Sequence, residues 1–298
     1  MIRRQTWQRR CDEPPAGKLK RNHSVMPKAP AQYSWHVISQ PSAAHGKLGT
    51  AMKIALISDI HSNAQAFAAV LEHAQAQGVN DYALLGDFVG YGGDPAWVVD
   101  KVAELVAQGA VAVMGNHDAA VVQGSSSSMR EEARLAVEWT HAQLSPTQLQ
   151  FLSQLPMSIT RDDRLYVHAN AFDPAGYEYI QGRLEAMRSL HATECRYTFC
   201  GHMHEPMLYH LSLTGKAGEF TPAAGVTIPL LPNRQWLAIP GSCGQPRDGN
   251  PAACYAIFDS QAGELSFQRV AYDAEAAAQQ IRAAGLPERL ALRLLQGE

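Results

Sequence analysis

The chain has 298 residues, of which 46% are apolar and 18% are charged, and its formal net charge is −3. This length allows one large domain or two smaller ones with a substantial core. The five cysteines form no Cys-x-x-Cys pair, which disfavours a disulfide framework or a thiolate zinc site and favours a reducing compartment such as the cytoplasm. No run approaches the roughly 18 apolar residues of a membrane-spanning helix, so we expect a soluble protein without a membrane partner.

Residues 1–51 differ from the rest of the chain in charge and in pattern. They contain nine Lys or Arg and two acidic residues, a net charge of +7, whereas residues 52–298 contain sixteen basic and twenty-six acidic residues, a net charge of −10. Five prolines and the lack of periodicity predict a disordered basic extension without a catalytic role, with an Arg-rich transit peptide as an alternative. Because a strand is predicted directly after Met52, a further hypothesis is that translation starts at this methionine.

Residues 52–298 alternate apolar runs with helical segments and contain no clear linker, which predicts one domain. In chain order the pattern predicts a strand at 53–57, a helix at 64–77, a strand at 81–85, a helix at 95–107 and a strand at 110–114. This alternation is typical of βαβ units with right-handed crossovers. Two helices are predicted next, near 130–143 and after Ser145, which suits an N-cap because a proline follows it.

The second half of the chain is predicted to consist mostly of strands, with a return to helix from Ala274. The predicted strands lie at 165–168, 197–200, 206–211, 236–239, 254–259 and 265–271. Together with the βαβ units that precede them, these strands predict an α/β fold.

Five short polar clusters follow apolar runs closely. They are Asp-Ile-His at 59–61, Gly-Asp at 86–87, Gly-Asn-His-Asp at 115–118, Val-His-Ala-Asn at 167–170 and Gly-His-Met-His at 201–204. Ligands of open α/β sheets bind beyond the carboxyl ends of the strands, so we expect the clusters to converge on one site. Residues two apart in an extended segment point the same way, which predicts that each Asp-x-His or His-x-His pair presents two donors to one side.

The clusters supply seven side chains suited to a metal site: Asp59, His61, Asp87, Asn116, His168, His202 and His204. Carboxylate, amide and imidazole donors without thiolate favour Mn, Fe, Zn or Ni. Seven donors exceed the need of one ion, whereas two ions that share Asp87 would use them all, and ion pairs about 3.5–4 Å apart are the usual device for phosphoester hydrolysis. Each cluster alone has a plainer interpretation as a turn, a cap or an ordinary histidine, but their shared position after strands favours a metal site.

The same ordered series resembles the signature of the calcineurin-like metallophosphoesterases over residues 57–204. The segments Gly-Asp-Phe-Val-Gly-Tyr-Gly-Gly-Asp-Pro and Gly-Gln-Pro-Arg-Asp-Gly are most similar to the compact prokaryotic, phosphodiesterase-like branch of that superfamily. The resemblance implies a four-layer α/β sandwich, in which two stacked mixed β-sheets are flanked by helices.

The resemblance also implies roles for individual residues. One divalent ion is expected at Asp59, His61, Asp87 and His204, and a second at Asp87, Asn116, His168 and His202. Mn is favoured, with Fe, Ni, Zn or Mg as alternatives. His117 is implied to be the general acid that protonates the leaving oxygen while a hydroxide between the two ions attacks, and Asp118 is expected to fix its orientation. The candidate substrate contacts are Arg247, Tyr91 and Asn63. Arg247 is equally a candidate surface turn residue, and Asn63, like Ser62, is a candidate N-cap of helix 64–77.

These features predict a metal-dependent phosphoesterase that acts on a small phosphodiester or nucleotide. Phe88 to Tyr91 follow Asp87 where protein phosphatases of the superfamily usually carry an arginine, which disfavours a phosphoprotein substrate. A serine/threonine-type protein phosphatase or a phosphomonoesterase is therefore kept as the alternative. Long nucleic acid is disfavoured, because a net charge of −10 indicates no basic track. A non-catalytic, metal-bound interaction scaffold of the same fold is the alternative of another class, but neither His117 nor any expected ligand is missing.

Overall fold

The computed structural model describes residues 52–125 and 129–298. The expectation of a disordered extension at 1–51 and the hypothesis of a start at Met52 concern a segment outside these ranges. The elements, in chain order, are β1 (Lys53–Ile57), α1 (Ala64–Ala76), β2 (Asp81–Leu84), α2 (Pro95–Ala107), β3 (Val111–Ala112), α3 (Asn116–Gln123), α4 (Glu131–Gln143), α5 (Pro146–Ser153), β4 (Ser158–Arg161), β5 (Arg164–Val167), α6 (Arg183–His191), β6 (Tyr197–Phe199), β7 (Pro206–Ser212), β8 (Ala217–Phe220), β9 (Thr227–Pro229), β10 (Arg234–Pro240), β11 (Ala253–Asp259), β12 (Glu264–Val270), α7 (Ala274–Ala283) and α8 (Glu288–Gln296). Among these helices none is long and apolar enough to cross a membrane.

The strands form two mixed sheets of six strands each. The first has the order β3-β2-β1-β11-β12-β9, and the second has the order β4-β5-β6-β10-β7-β8. Strands β1, β2 and β3 are parallel to one another, as are β5, β6 and β10. In the first sheet, antiparallel strands extend the parallel group on one side, beginning with β11. In the second sheet they extend it on both sides, beginning with β4 and β7.

Strand β1 shows why the sheets stack, because it is buried on both faces. Ile54 and Leu56 point into a core shared with aromatic residues of the second sheet, whereas Ala55 and Ile57 point into the core beneath helices α1 and α2. A third core lies between the outer face of the second sheet and α6. The layers are therefore helices, sheet, sheet and helix, and the expected four-layer sandwich is confirmed.

The structure differs from the predicted elements in a few places. The strand predicted at 110–114 is shorter, because the N–H group of Met114 leaves the sheet and donates to the carbonyl of Pro156. Helix α6 was not predicted, since only Ala186, Ser189 and Leu190 of its nine residues are buried and the apolar period is too brief to detect. Helix α3 begins inside the Gly-Asn-His-Asp cluster itself, with Gly115 as its N-cap.

Candidate metal centre

The seven predicted metal donors lie together beyond the carboxyl ends of β1, β2, β3, β5 and β6. Their donor atoms form a first cluster of Asp59, His61 and His204 and a second cluster of Asp87, His168 and His202, each with its atoms within 4.8 Å of one another. Asn116 joins the second cluster, because its Oδ1 lies 3.1 Å from Nε2 of His168. Asp87 lies between the clusters, with Oδ2 3.7 Å from Nε2 of His61 and 3.5 Å from Nε2 of His168.

Unusual backbone conformations aim these side chains. Asp59, His61, Asp87, His202 and His204 all have positive φ, between 48° and 68°. Non-glycine residues in this left-handed region cost of order 1–3 kcal/mol each and concentrate at functional sites. The expectation that each Asp-x-His or His-x-His pair lies on an extended segment is therefore wrong. Left-handed turns present the side chains instead, and they send His202 and His204 to different clusters.

Hydrogen bonds between neighbouring loops hold these turns. The N–H groups of Asp59 and His61 donate to the carbonyls of Gly86 and Asp87, at 3.1 and 2.9 Å. The N–H of His202 donates to Oδ2 of Asp59 at 3.0 Å, which ties the loop after β6 to the loop after β1. At Gly115 a Cβ atom would collide with the backbone and carboxylate of Asp87, so only glycine fits this contact.

Backbone carbonyls fix the tautomer of three of the histidine rings. Nδ1 of His61 lies 3.2 Å from the carbonyl of Val89, Nδ1 of His168 lies 2.7 Å from that of Leu85, and Nδ1 of His204 lies 2.6 Å from that of Gln245. In each of these contacts Nδ1 is the donor and carries the hydrogen, because a carbonyl oxygen can only accept. The Nε2 atoms of all three rings are left to face the site, as in rings that bind a metal.

The first cluster fits a cation. Nε2 of His61 and Nε2 of His204 lie only 3.1 Å apart, so two lone pairs face each other when both rings are neutral. Oδ1 of Asp59 lies 3.3 Å from Nε2 of His204 and is buried without a hydrogen-bond partner in the described part of the chain. These close donor atoms and the buried, unpartnered carboxylate oxygen form an arrangement that a shared cation would stabilise.

The carboxylates and His61 are in the protonation states that metal binding requires. Burial raises the pKa of Asp59, but the neighbouring imidazoles of His204 and His168 outweigh it and hold this pKa well below its usual value. The pKa of Asp87 is likewise lowered, because His168 and His117 outweigh the effect of burial. Burial lowers the pKa of His61 far enough to keep this ring neutral.

The second cluster differs in its protonation. Burial lowers the pKa of His168, but the charge of Asp87 and a hydrogen bond to it raise this pKa to about 9. Three acceptors surround Nε2 of His168: Oδ2 of Asp87, Oδ1 of Asn116 at 3.1 Å and Nδ1 of His202 at 3.2 Å. Without a metal, a proton therefore occupies the place between these groups, while burial lowers the pKa of His202 to about 3 and leaves that ring neutral.

His117 lies on the first turn of α3, beside both clusters. Its backbone N–H donates to Oδ1 of Asp87 at 2.8 Å, and its ring centroid lies 4.4 Å from that of Tyr91 and 5.0 Å from that of His61. With His61 and Asp87 it also forms a third group of close donor atoms. Gly90 makes room for the ring, since a Cβ there would lie 2.6 Å from Nδ1 of His117.

Comparison with known proteins agrees with this geometry. Residues 52–263 match the family model of the calcineurin-like phosphoesterase superfamily domain. The chain belongs to the calcineurin-like phosphoesterase superfamily. An uncharacterised protein of Methanocaldococcus jannaschii is 33% identical over 250 residues, which cover 82% of this chain and 98% of that protein.

Two solved structures of similar proteins show the same architecture. The metallophosphoesterase from Sphaerobacter thermophilus is 37% identical, with a TM-score of 0.74 and coverage of 84% of this chain and 100% of that one. A hypothetical protein from Pyrococcus horikoshii is 19% identical, with a TM-score of 0.67 and coverage of 83% and 99%. The first of these supports the phosphoesterase family, and the second supports the fold alone.

Asp118 does not form a hydrogen bond with the ring of His117, whose orientation it was expected to fix. Its Oδ1 accepts the N–H groups of Phe88 and Val89 at 2.9 and 3.1 Å, and its Oδ2 accepts that of Gly115 at 3.0 Å. Nδ1 of His117 is buried without a hydrogen-bond partner among the described residues, so the carboxylate does not hold the ring directly. Asp118 instead accepts the N–H of the N-cap residue Gly115 at the start of α3 and joins this helix to the loop after β2.

The three candidate substrate contacts have different surroundings. Asn63 is 2% exposed, caps α1 through the N–H of Ala66, and donates to the carbonyl of Gly244 and the hydroxyl of Tyr272. These bonds engage its amide fully, so the structure gives Asn63 the N-cap role and not the expected substrate contact. Tyr91 packs against the rings of both His61 and His117. Burial lowers the pKa of His117, and the charge of the nearby Arg247 lowers it further.

Two tyrosines of the loop between β5 and α6 also belong to the site, although sequence reasoning did not identify them. The ring of Tyr179 stacks on His202, with centroids 4.0 Å apart and planes at 15°. The ring of Tyr177 contacts His168 edge-on, and its hydroxyl donates to the carbonyl of Gly115 at 3.3 Å. Tyr177 has positive φ, which is rare for an aromatic residue, but this conformation leaves no signal in the sequence.

Proposed function

We propose that this protein is a dinuclear metal-dependent phosphoesterase that hydrolyses a small phosphodiester or nucleotide by attack of hydroxide. The observation that carries the proposal is the meeting of two donor clusters at one shared carboxylate, Asp87. One ion would be held by Asp59, His61, Asp87 and His204, and the other by Asp87, Asn116, His168 and His202. The mixture of oxygen and imidazole donors suits Mn, Fe, Zn or Ni. Mn stays the expected ion, with Mg as a further alternative.

Two cations held by these residues would lower the pKa of water and offset the charge of the phosphoryl oxygens. The residues of the chain provide the rest of the reaction. His117 is held beside both clusters by its backbone bond to Asp87, and we assign it the proton that the leaving oxygen receives. Burial lowers the pKa of His117, and an anionic substrate would raise it again by bringing a negative charge next to the ring.

The loop after β2 favours a small substrate over a phosphoprotein. Phe88 and Val89 stand where protein phosphatases usually have an arginine, and both side chains are fully buried. Their N–H groups bond to Asp118, and the carbonyl of Val89 bonds to His61. This segment supports the metal donors and offers no cation to a phosphate. A protein phosphatase or a phosphomonoesterase is therefore the second candidate.

The expected cytoplasmic location stays a prediction from the absence of paired cysteines in the sequence.

Hydrolysis of two chromogenic esters tests the proposal. Metal-stripped protein is refilled with Mn, Ni, Mg or Zn, its metal content is measured, and bis(4-nitrophenyl) phosphate is compared with 4-nitrophenyl phosphate. We expect faster metal-dependent turnover of the diester, and its loss in His117→Ala. Preference for the monoester would favour the phosphatase alternative. Two bound ions without turnover of either ester would favour the non-catalytic scaffold.

A further inference from the structure

Two guanidinium groups that form no ion pair within the described part of the chain, those of Arg247 and Arg293, lie beside the candidate metal centre. Arg247 donates through Nη2 to the neutral amide of Gln245 at 3.1 Å, and its Nε is buried without a hydrogen-bond partner in the described ranges. Arg293, on α8, is half-buried, and its side chain has no hydrogen bond or ion pair with another residue that the structure describes. Neither guanidinium forms an ion pair with a carboxylate of the described residues, although the charge of Glu132 acts on Arg293 from a longer distance.

Packing brings these two residues to the same edge of the site. Tyr91, next to His117, packs against the apolar cluster that contains Leu290 and Leu294 of α8. The loop that follows Arg247 is tied to the end of the same helix, because the N–H of Gly249 donates to the carbonyl of Gly297 at 2.9 Å. The end of α8 and the loop after β10 therefore form one wall beside Tyr91.

Electrostatic effects agree with this placement. Burial lowers the pKa of Arg293, and the charge of Arg247 lowers it further. Burial raises the pKa of the Tyr91 hydroxyl, while Arg247 and Arg293 both act in the opposite direction. Both positive charges are thus close to the hydroxyl of Tyr91 as well as to each other.

Two like charges that are partly removed from water repel each other, and burial adds a cost unless an anion is present. Residues 52–298 carry a net charge of −10, so acidic residues are not scarce. One turn earlier on α8, Arg289 has such a partner, with its Nη1 3.5 Å from Oε1 of Glu132. Among the described residues neither Arg247 nor Arg293 has an ion pair of this kind, which suits the binding of an anion from solution.

We propose that Arg247 and Arg293 form a second anion subsite at the edge of the metal centre, which binds a phosphate of the substrate other than the phosphate that is cleaved. Guanidinium groups suit phosphate because their fork of N–H donors matches its oxygens. The inference rests on the proposed function and narrows its substrate class to phosphoesters that carry at least one further phosphate, such as a nucleotide phosphorylated at two positions.

Two substrates that differ only in the extra phosphate test the subsite. Thymidine 5′-(4-nitrophenyl phosphate), with and without a 3′-phosphate, is hydrolysed by the Mn-loaded full chain. We expect Arg293→Gln to raise KM for the 3′-phosphorylated ester about tenfold more than for the other, since a lost charge-assisted hydrogen bond has roughly this effect. Arg293→Lys should recover part of the difference. An equal effect of Arg293→Gln on both esters would overturn the proposal.

Arg289→Gln is the matched control, because it removes the same charge from the same helix but from an ion-paired position. We expect it to change neither KM. An effect of Arg289→Gln as large as that of Arg293→Gln would show a general electrostatic influence of α8 and overturn the subsite.

Binding of inorganic pyrophosphate separates the subsite from the proposed activity. Calorimetry with the full chain and no added metal should show binding that Arg293→Gln weakens about tenfold and Arg289→Gln leaves unchanged. Such binding in a protein that hydrolyses no ester would uphold the subsite while refuting the proposed function. The absence of pyrophosphate binding by the unsubstituted chain would overturn the subsite itself.

Discussion

The two metal-donor clusters are built from similar residues, but the protein holds them in different ways. In the first cluster, backbone carbonyls of Val89 and Gln245 fix the rings of His61 and His204. In the second cluster, a carbonyl fixes His168, whereas His202 turns Nδ1 inward and leaves Nε2 without a hydrogen-bond partner in the described part of the chain. The ring of His202 is supported instead by Tyr179, which is 44% exposed.

This contrast indicates that the first cluster is set in place before any ion binds, while the second must change when one does. The first contains a neutral His61, whose pKa burial lowers, so a cation meets no competing proton on that ring. The second contains a proton on His168 that a cation must displace. We therefore expect tighter binding of an ion at the first cluster, and the following predictions test that difference.

The largest effect is expected from Asp87, the residue that the clusters share. Asp87→Asn removes the charge that faces both His61 and His168, so the affinity for both ions should fall by more than about 100-fold, given that loss of even a supporting partner costs roughly 10–100-fold. Asp59→Asn should release one ion and leave the second cluster able to bind. Metal content after dialysis, with circular dichroism as the check of folding, distinguishes the two. Retention of one ion by Asp87→Asn would contradict the shared position.

His117 should affect turnover without belonging to either cluster. We expect His117→Ala to lower kcat about 10²–10⁴-fold, the usual contribution of a general acid, while two ions stay bound. The measurement pairs metal content with the rate on bis(4-nitrophenyl) phosphate. Because His117 also lies close to His61 and Asp87, loss of an ion from this variant would show that it is a ligand and would refute the separation of roles.

The pH dependence of metal binding should differ between the clusters. Since the pKa of His168 is about 9 in the metal-free protein, the affinity of the second cluster should rise about tenfold per pH unit from pH 6 towards 9 and then level off. No proton needs to leave His61, whose pKa is well below its usual value, or His202, whose pKa is about 3. Calorimetry in buffers of different ionisation enthalpy counts the protons released, and equal counts for the two ions would contradict this account.

The candidate metal donors, and their meeting at one site, could be predicted from the sequence, because Asp and His side chains after strands leave a visible pattern. The strands themselves followed from apolar runs, and β1 and α2 have the predicted bounds. The aiming of the donors could not be predicted in this way. Asp59 and His61 hold their positive φ while their N–H groups donate to the carbonyls of Gly86 and Asp87, in a loop that is distant in the sequence. Neither local sequence carries a signal of these hydrogen bonds.

Contacts made by backbone atoms or by residues far away in the sequence could not be predicted from the sequence either. The carbonyl of Gln245 that fixes His204 could be supplied by almost any residue type, so its identity gives no hint of its role. Arg293 follows the amphipathic pattern of α8, but only the tertiary packing of that helix against Tyr91 brings it to the site. Asn63 shows the opposite error, because its position next to a motif suggested a substrate contact, whereas in the structure it is the N-cap of α1.

The smallest effect on ion binding is expected from substitution of Tyr179. This substitution tests directly whether Tyr179 supports the ring of His202. Aromatic stacking contributes roughly 0.5–1.5 kcal/mol, so Tyr179→Ala should weaken ion binding at the second cluster between about twofold and tenfold. Tyr179→Phe keeps the ring and should bind both ions as the unsubstituted chain does. Sequential titration with Mn²⁺ separates the two affinities. If Tyr179→Ala weakened both ions equally, or if Tyr179→Phe had the same effect, stacking would not be what holds His202, and the contrast between the clusters would lose its structural basis.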